Sequence, residues 1–280
     1  MIRQPPTLGV ALTLEQWETT PGLADFVLEW QRDIELRDLV EIGALQNGMW
    51  QDSVARARRL LGGHTGQLGI HGPFWGIAID TPDPDVRRIV QSRIDAALDA
   101  VIALCGSRGG HMVLHSPYTT WHWYNRGTFH DDCAGVLERT HATIGGAVKK
   151  ACDHGITLVL ENCEDKDPFE RVALAASFNS PAVRVSLDTG HAQYCHGALG
   201  APPVDVCLRA AGADLAHVHL QDADGFGDRH WAIGRGTIRW HSVFAALAEM
   251  ETLPLLLLEM ADVRDALVSA KWLAEQGLAV

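Results

Sequence analysis

The 280-residue sequence predicts a single (β/α)8 barrel spanning residues 1–280. Three observations predict it. Short β-rich apolar runs alternate eight times with amphipathic segments. No repeat or linker divides the chain, and its 47% hydrophobic content is enough for one large core. Strands three through eight each close on an ionisable side chain, at the end where barrel strands converge on one site.

The first strand is Leu8 to Leu12, followed by a helix through Trp17, Leu23, Phe26 and Leu28 to Trp30. Strand two is expected at Leu36 to Ile42, with Met49 to Leu61 as its helix. Strand three, Leu68 to His71, stops at Gly72-Pro73-Phe74, because proline lacks the N–H needed to continue a ladder. Thr81-Pro-Asp-Pro opens the clearest helix, in which Val86, Val90, Ile94, Ala97, Leu98 and Val101 recur at three- and four-residue spacing up to Gly106. Strand four, His111 to His115, ends in Ser116-Pro117, so His115 takes the place that His71 has on strand three.

The loop Tyr118 to His130 carries Trp121, Trp123, Tyr124 and Phe129, too aromatic for a merely solvated connection. It suits a lid or a ligand-stacking wall, or equally a covered rim or a homo-oligomer face. A helix from Asp132 to His154 ends at Gly155, and strand five runs Thr157 to Glu161. Glu161 closes a run buried on both faces, where a carboxylate is costly unless a cation or a proton accompanies it. Strand six, Ala182 to Leu187, closes on Asp188-Thr-Gly-His191, and one turn of helix brings Asp188 and His191 towards one site.

Strand seven, Leu215 to His219, puts His217 and His219 on one face. His219, nearer the strand end, is the expected ligand, and His217 a core or supporting histidine. A loop with Asp228, Arg229, His230 and Trp231 leads to a helix through Ile238, Trp240, Val243 and Leu247. Strand eight, Leu255 to Glu259, and a helix through Val263, Leu267, Ala270 and Leu273 complete eight units.

His71, His115, Glu161, Asp188, His219 and Glu259 thus end successive strands. Nitrogen and carboxylate donors gathered in this way predict a divalent-metal site.

Composition narrows the partner. There are 35 acidic against 23 basic residues, a formal charge of −12, and no basic run to track a phosphate backbone. A small molecule is therefore expected rather than nucleic acid. The six cysteines lie far apart with no Cys-x-x-Cys pair, the pattern of reduced thiols in a cytoplasm. The N-terminus lacks an apolar signal core and the longest apolar run, Leu253 to Leu258, is too short to cross a bilayer, so a soluble, unexported, cytoplasmic protein is expected.

The motifs His71-Gly-Pro-Phe74, His115-Ser-Pro117, Leu160-Glu161-Asn162, Leu187-Asp188-Thr-Gly-His191, His217-Val-His219-Leu-Gln-Asp222 and Gly234-Arg-Gly-Thr-Ile238 before Trp240 resemble the xylose-isomerase-like barrel superfamily over nearly the whole chain. That superfamily includes sugar-phosphate isomerases and epimerases and the endonuclease IV family. In the isomerase and epimerase branch, the resemblance implies one divalent ion, zinc or manganese, held by Glu161, Asp188, His219 and Glu259. The two glutamates then serve as acid and base on a sugar, sugar phosphate or related polyol, and His191 hydrogen-bonds a substrate oxygen. Phe74, Trp75, Trp121, Trp123 and Trp231 suit the apolar face of a sugar. Arg126, Lys166, Arg229 and Arg235 suit a phosphate, or plain surface solvation.

The endonuclease IV branch implies three zinc ions and nine side chains, matched here by His71, His115, Glu161, Asp188, His191, His219, Asp228, His230 and Glu259. Clustered metals suit phosphoester hydrolysis. The loops expected at the mouth are poor in positive charge: Gly43 to Gln51 has no Lys or Arg, and Asn162 to Glu170 sets Glu164, Asp165, Asp167 and Glu170 against Lys166. The preferred expectation is a one-metal isomerase or epimerase; the alternative is a multinuclear hydrolase acting on a small substrate rather than on DNA.

Overall fold

The computed structural model describes residues 5–127 and 133–280, and the side chains of residues 133 and 134 are not part of that description. Phe129, His130 and Asp132 lie outside it. Eight strands, β1 (Gly9–Leu12), β2 (Ile34–Leu36), β3 (Leu68–His71), β4 (Gly110–His115), β5 (Ile156–Glu161), β6 (Val183–Asp188), β7 (Leu215–Leu220) and β8 (Leu255–Leu258), form a closed parallel barrel in sequence order. The predicted (β/α)8 architecture is thus the observed one. Apolar runs such as Leu158 to Leu160 are buried throughout, because helices cover the sheet outside and side chains fill it inside.

Register decides which strand ends become neighbours. His115 lies opposite Glu161, and Asp188 lies opposite His219. A register shift between Val185 and Ser186 precedes the second of these pairings. Side-chain caps fix where several helices start. Asp83 accepts from the backbone N–H groups of Asp85 and Val86 at the head of the helix Pro84–Cys105, with proline in the first turn where its missing donor costs nothing. Asp188 does the same for Thr189–Leu199, accepting from His191 N–H at 2.7 Å.

Three local expectations are corrected. The first helix is two, Leu14–Thr19 and Leu23–Trp30, parted at Pro21 and Gly22, where Gly22 takes φ +79°. Strand two is Ile34–Leu36 rather than Leu36 to Ile42; the chain turns after Leu36, and Arg37 N–H returns to Leu12 C=O. The aromatic loop contains a short helix, Thr120–Tyr124, capped by Thr119.

No helix among the described residues is long and apolar enough to cross a membrane. Cys105, Cys152, Cys163, Cys195 and Cys207 are free thiols.

Candidate metal centre

The nine His and carboxylate side chains singled out in the sequence fall into three adjoining groups at the C-terminal mouth of the barrel. They are His71, His115 and Glu161; then Glu161, Asp188, His219 and Glu259; then His191, Asp228 and His230. In each group the donor atoms lie within 4.8 Å of one another. Glu161 belongs to the first two. A surface cavity of about 730 Å³ elsewhere is lined by Thr157, Leu215 and Leu255, residues at the starts of their strands. That is the face where barrel conservation serves stability, so the histidine-lined mouth is the better candidate site.

Glu161 reaches two groups because its oxygens diverge. Oε1 is bonded to His219 Nδ1, while Oε2 faces His115 Nε2 at 3.3 Å and His71 Nε2 at 3.7 Å. Glu259 Oε2 approaches the same His219 nitrogen at 3.3 Å, and its Oε1 lies 3.5 Å from Arg37 Nε. Asp188 Oδ1 is occupied by His191 N–H and, at 3.1 Å, by Gln221 Nε2. Glu161 Oε2 and Asp188 Oδ2 are buried without a hydrogen-bond partner. An orphaned buried carboxylate oxygen is expensive, and two of them on residues of one donor group fit a divalent cation. The mixed nitrogen and oxygen donors suit zinc or manganese.

The far sides of the rings are tied down. His71 Nδ1 donates to Gly72 C=O at 2.9 Å, His191 Nδ1 to Asn162 C=O at 2.8 Å and His230 Nδ1 to Glu259 C=O at 3.2 Å. His219 Nε2 donates to Glu35 Oε1 at 2.9 Å. Each bond turns the opposite nitrogen towards the carboxylates, as metal-binding histidines require.

Loop architecture delivers the third group. Asp222 accepts from the N–H groups of Ala223 and Gly234 and from Trp240 Nε1, at 2.9, 2.8 and 2.9 Å, and pairs with Trp231 through the backbone. That folds the segment after β7 back over the mouth. Gln221 then donates to Asp228 Oδ1 at 3.0 Å and accepts from His230 N–H at 2.9 Å. Its amide fits only because residue 190 is glycine; a Cβ there would lie 2.0 Å from the Gln221 amide carbon. His230 adopts φ +48°, a left-handed conformation rare for a residue with a side chain and a mark of functional sites.

Electrostatics follow from packing acids and imidazoles together. Burial pushes Glu161 up, but the His219 charge and the three neighbouring imidazoles outweigh it and hold the carboxyl well below its usual range. Burial, with Glu161 and Glu259 nearby, raises Asp188 to about 6 against the pull of His191 and His230. Burial opposes protonation of His115 and His230, yet Cys163 and Glu161 lift the first to about 10, and Asp228 and Glu259 lift the second to about 9. Protons on the rings thus balance the carboxylates, a role that a divalent cation can take over.

Sequence reading missed Glu35. It is fully buried in the barrel floor, accepting from His219 Nε2 and, at 3.0 Å, from His111 Nε2, while His217 Nε2 stands 3.2 Å away. His217 is a floor residue: Ser186 Oγ meets its Nδ1 at 2.8 Å, and burial followed by the His219 charge lowers it to about 4. Its signal in the sequence is a charged residue between Ile34 and Leu36, which a strand expected at Leu36 to Ile42 leaves outside the barrel.

Of the residues expected to touch substrate, Phe74 packs against the centre, with its ring 4.6 Å from His115 and 5.2 Å from His71. Trp75 and Trp121 are exposed, at 59% and 62%. Trp123 is held by Arg126 and Lys166, at 4.5 and 4.7 Å from the ring. Trp231 lies under Arg229 and Arg235, and Arg229 is also paired with Asp224 at 3.0 Å.

A closed parallel barrel with a buried His and carboxylate centre at its C-terminal mouth defines the class. The chain belongs to the Xylose isomerase-like TIM barrel family, which it matches over residues 37–276. It is 26% identical over 216 residues to the uncharacterized protein MJ1311 of Methanocaldococcus jannaschii, covering 75% of this chain and 69% of that one. A D-tagatose 3-epimerase-like protein shares the fold with a TM-score of 0.74 and 20% identity, over 97% of both chains. The TTHB071 protein from Thermus thermophilus, whose crystals were soaked with ZnCl2, does so with a TM-score of 0.68 and 24% identity, over 96% of both.

Proposed function

We propose that this protein is a cytoplasmic, divalent-metal-dependent isomerase or epimerase of a sugar, sugar phosphate or related polyol, with residues 1–280 acting as one domain. The observation that carries the reading is the convergence of Glu161 and Glu259, from β5 and from the end of β8, on the same His219 nitrogen. Two carboxylates flanking one centre suit removal of a carbon-bound proton by one and its return by the other. A bound zinc or manganese ion supplies Lewis acidity there, towards a carbonyl and its neighbouring hydroxyl or towards a phosphoryl oxygen and a water. Glu161, Asp188, His219 and Glu259 hold it in this reading. His191 orients a substrate oxygen, and Phe74, Trp75, Trp121, Trp123, Arg229 and Trp231 form the sugar-facing rim. Likeness to the D-tagatose 3-epimerase-like structure supports a carbohydrate substrate.

A second reading has its own observation. The other five side chains, His71, His115, His191, Asp228 and His230, complete two further groups around the first. That arrangement favours a multinuclear phosphoester hydrolase acting on a small substrate.

One isotope experiment decides between them. Metal-loaded protein is incubated in D2O with D-tagatose and other ketohexoses, and separately with model phosphodiesters in 18O-labelled water. Deuterium at a carbon of the converted sugar is the expected result. Labelled oxygen in a cleaved phosphodiester, without carbon exchange in any sugar, overturns the isomerase reading.

A further inference from the structure

Cys163 lies two residues beyond Glu161, and neither reading above uses it. Its backbone N–H is fixed by Asp165 Oδ2 at 3.1 Å, and its C=O accepts from Cys195 Sγ at 3.4 Å. Asp165 is itself buried and paired with Arg171 at 3.1 Å, so the loop is anchored. The thiol donates to Glu161 C=O at 4.0 Å. With Glu161 and His191 it forms a further group whose donor atoms lie within 4.8 Å of one another. A second observation points to a ligand at the same place: Glu161, a member of that group, has a fully buried Oε2 that lacks a hydrogen-bond partner.

We propose that Cys163 is a further metal-ligating side chain, a thiolate beside Glu161 and His191 that makes the centre select zinc over manganese. The inference rests on the metal-centre reading above. Its chemistry is that of ligand softness: the other donors are imidazole and carboxylate, which zinc and manganese share, whereas a thiolate favours zinc. On binding, the Sγ–H bond gives its proton to solvent and an S–Zn bond forms.

Cobalt(II) reports this ligand without turnover. Wild-type protein loaded with Co(II) should show sulfur-to-cobalt charge-transfer absorption in the near ultraviolet, and Cys163→Ser should take up Co(II) without it. Zinc affinity of Cys163→Ser, measured by chelator competition, should fall roughly tenfold or more while manganese affinity holds. Should Cys163→Ser not fold, iodoacetamide labelling of wild-type Cys163, mapped by mass spectrometry, should be blocked by zinc. Co(II) uptake with no absorption that depends on Cys163, an unchanged zinc-to-manganese ratio, or labelling indifferent to zinc overturns the inference and leaves the metal centre standing. A wild-type protein that takes up none of these ions overturns both.

Discussion

His219 Nε2 donates a 2.9 Å hydrogen bond to Glu35 Oε1, across 184 residues of chain, and so turns His219 Nδ1 towards Glu161 and Glu259. A carboxylate behind an imidazole in this way fixes the ring and strengthens it as a ligand. Burial opposes the charge on Glu35, but His219 and the hydrogen-bonding imidazoles hold its carboxyl well below the ordinary range. It is therefore a charged acceptor in the barrel floor.

Glu35→Gln keeps the volume and removes the charge. Zinc affinity should fall about 10–100-fold. Chelator competition checks this, and wild-type affinity in the variant would show that Glu35 is only a floor residue.

Glu259→Gln should lower turnover by about 10²–10⁴-fold. Its carboxylate also sits among the proposed ligands, so metal content must be measured beside the rate. Near-normal turnover at full metal occupancy would remove Glu259 from the acid–base pair.

Asp228→Ala with His230→Ala separates the two readings by metal count. In the one-metal reading, one bound ion remains and substrate affinity suffers. Loss of a second or third ion, counted by elemental analysis, together with collapse of phosphodiester cleavage, would favour the hydrolase.

Metal binding should release protons: against burial, Glu259, Glu35 and Glu161 raise the ligand His219 well above its ordinary value although a ligating imidazole must be neutral, and the cation also displaces charge from His230 and His115, raised to about 9 and about 10. A raised folded-state value means that the protonated rings stabilise the metal-free protein below about pH 6.5, a contribution lost as pH rises through those folded values. Zinc affinity should climb over the same window. Calorimetry in buffers of different ionisation enthalpy measures the release, and a heat independent of buffer at about pH 7.5 would contradict it.

Gly190→Ala should displace the Gln221 amide, which the new methyl would meet at 2.0 Å. The expected cost is about 1–3 kcal/mol, seen as a lower midpoint in thermal unfolding. Asp228 and His230 should lose their support with it. An unshifted midpoint would mean that Gln221 relocates without penalty.

The alternation of apolar runs and amphipathic segments determined the barrel, because that periodicity arises between near neighbours in the chain. It also determined which ionisable residues reach the mouth: a strand's last residue sits at its C-terminal end whatever its partners are. His71, His115, Glu161 and Asp188 were legible for that reason, and His191 through its three-residue spacing from Asp188. Tertiary structure alone decided which ring nitrogen faces the carboxylates, that Glu161 joins neighbouring donor groups, that Glu35 lies beneath His219 and that Cys163 shares a donor group with Glu161 and His191. Those relations depend on register and on contacts between strands far apart in sequence. Local periodicity holds no record of them.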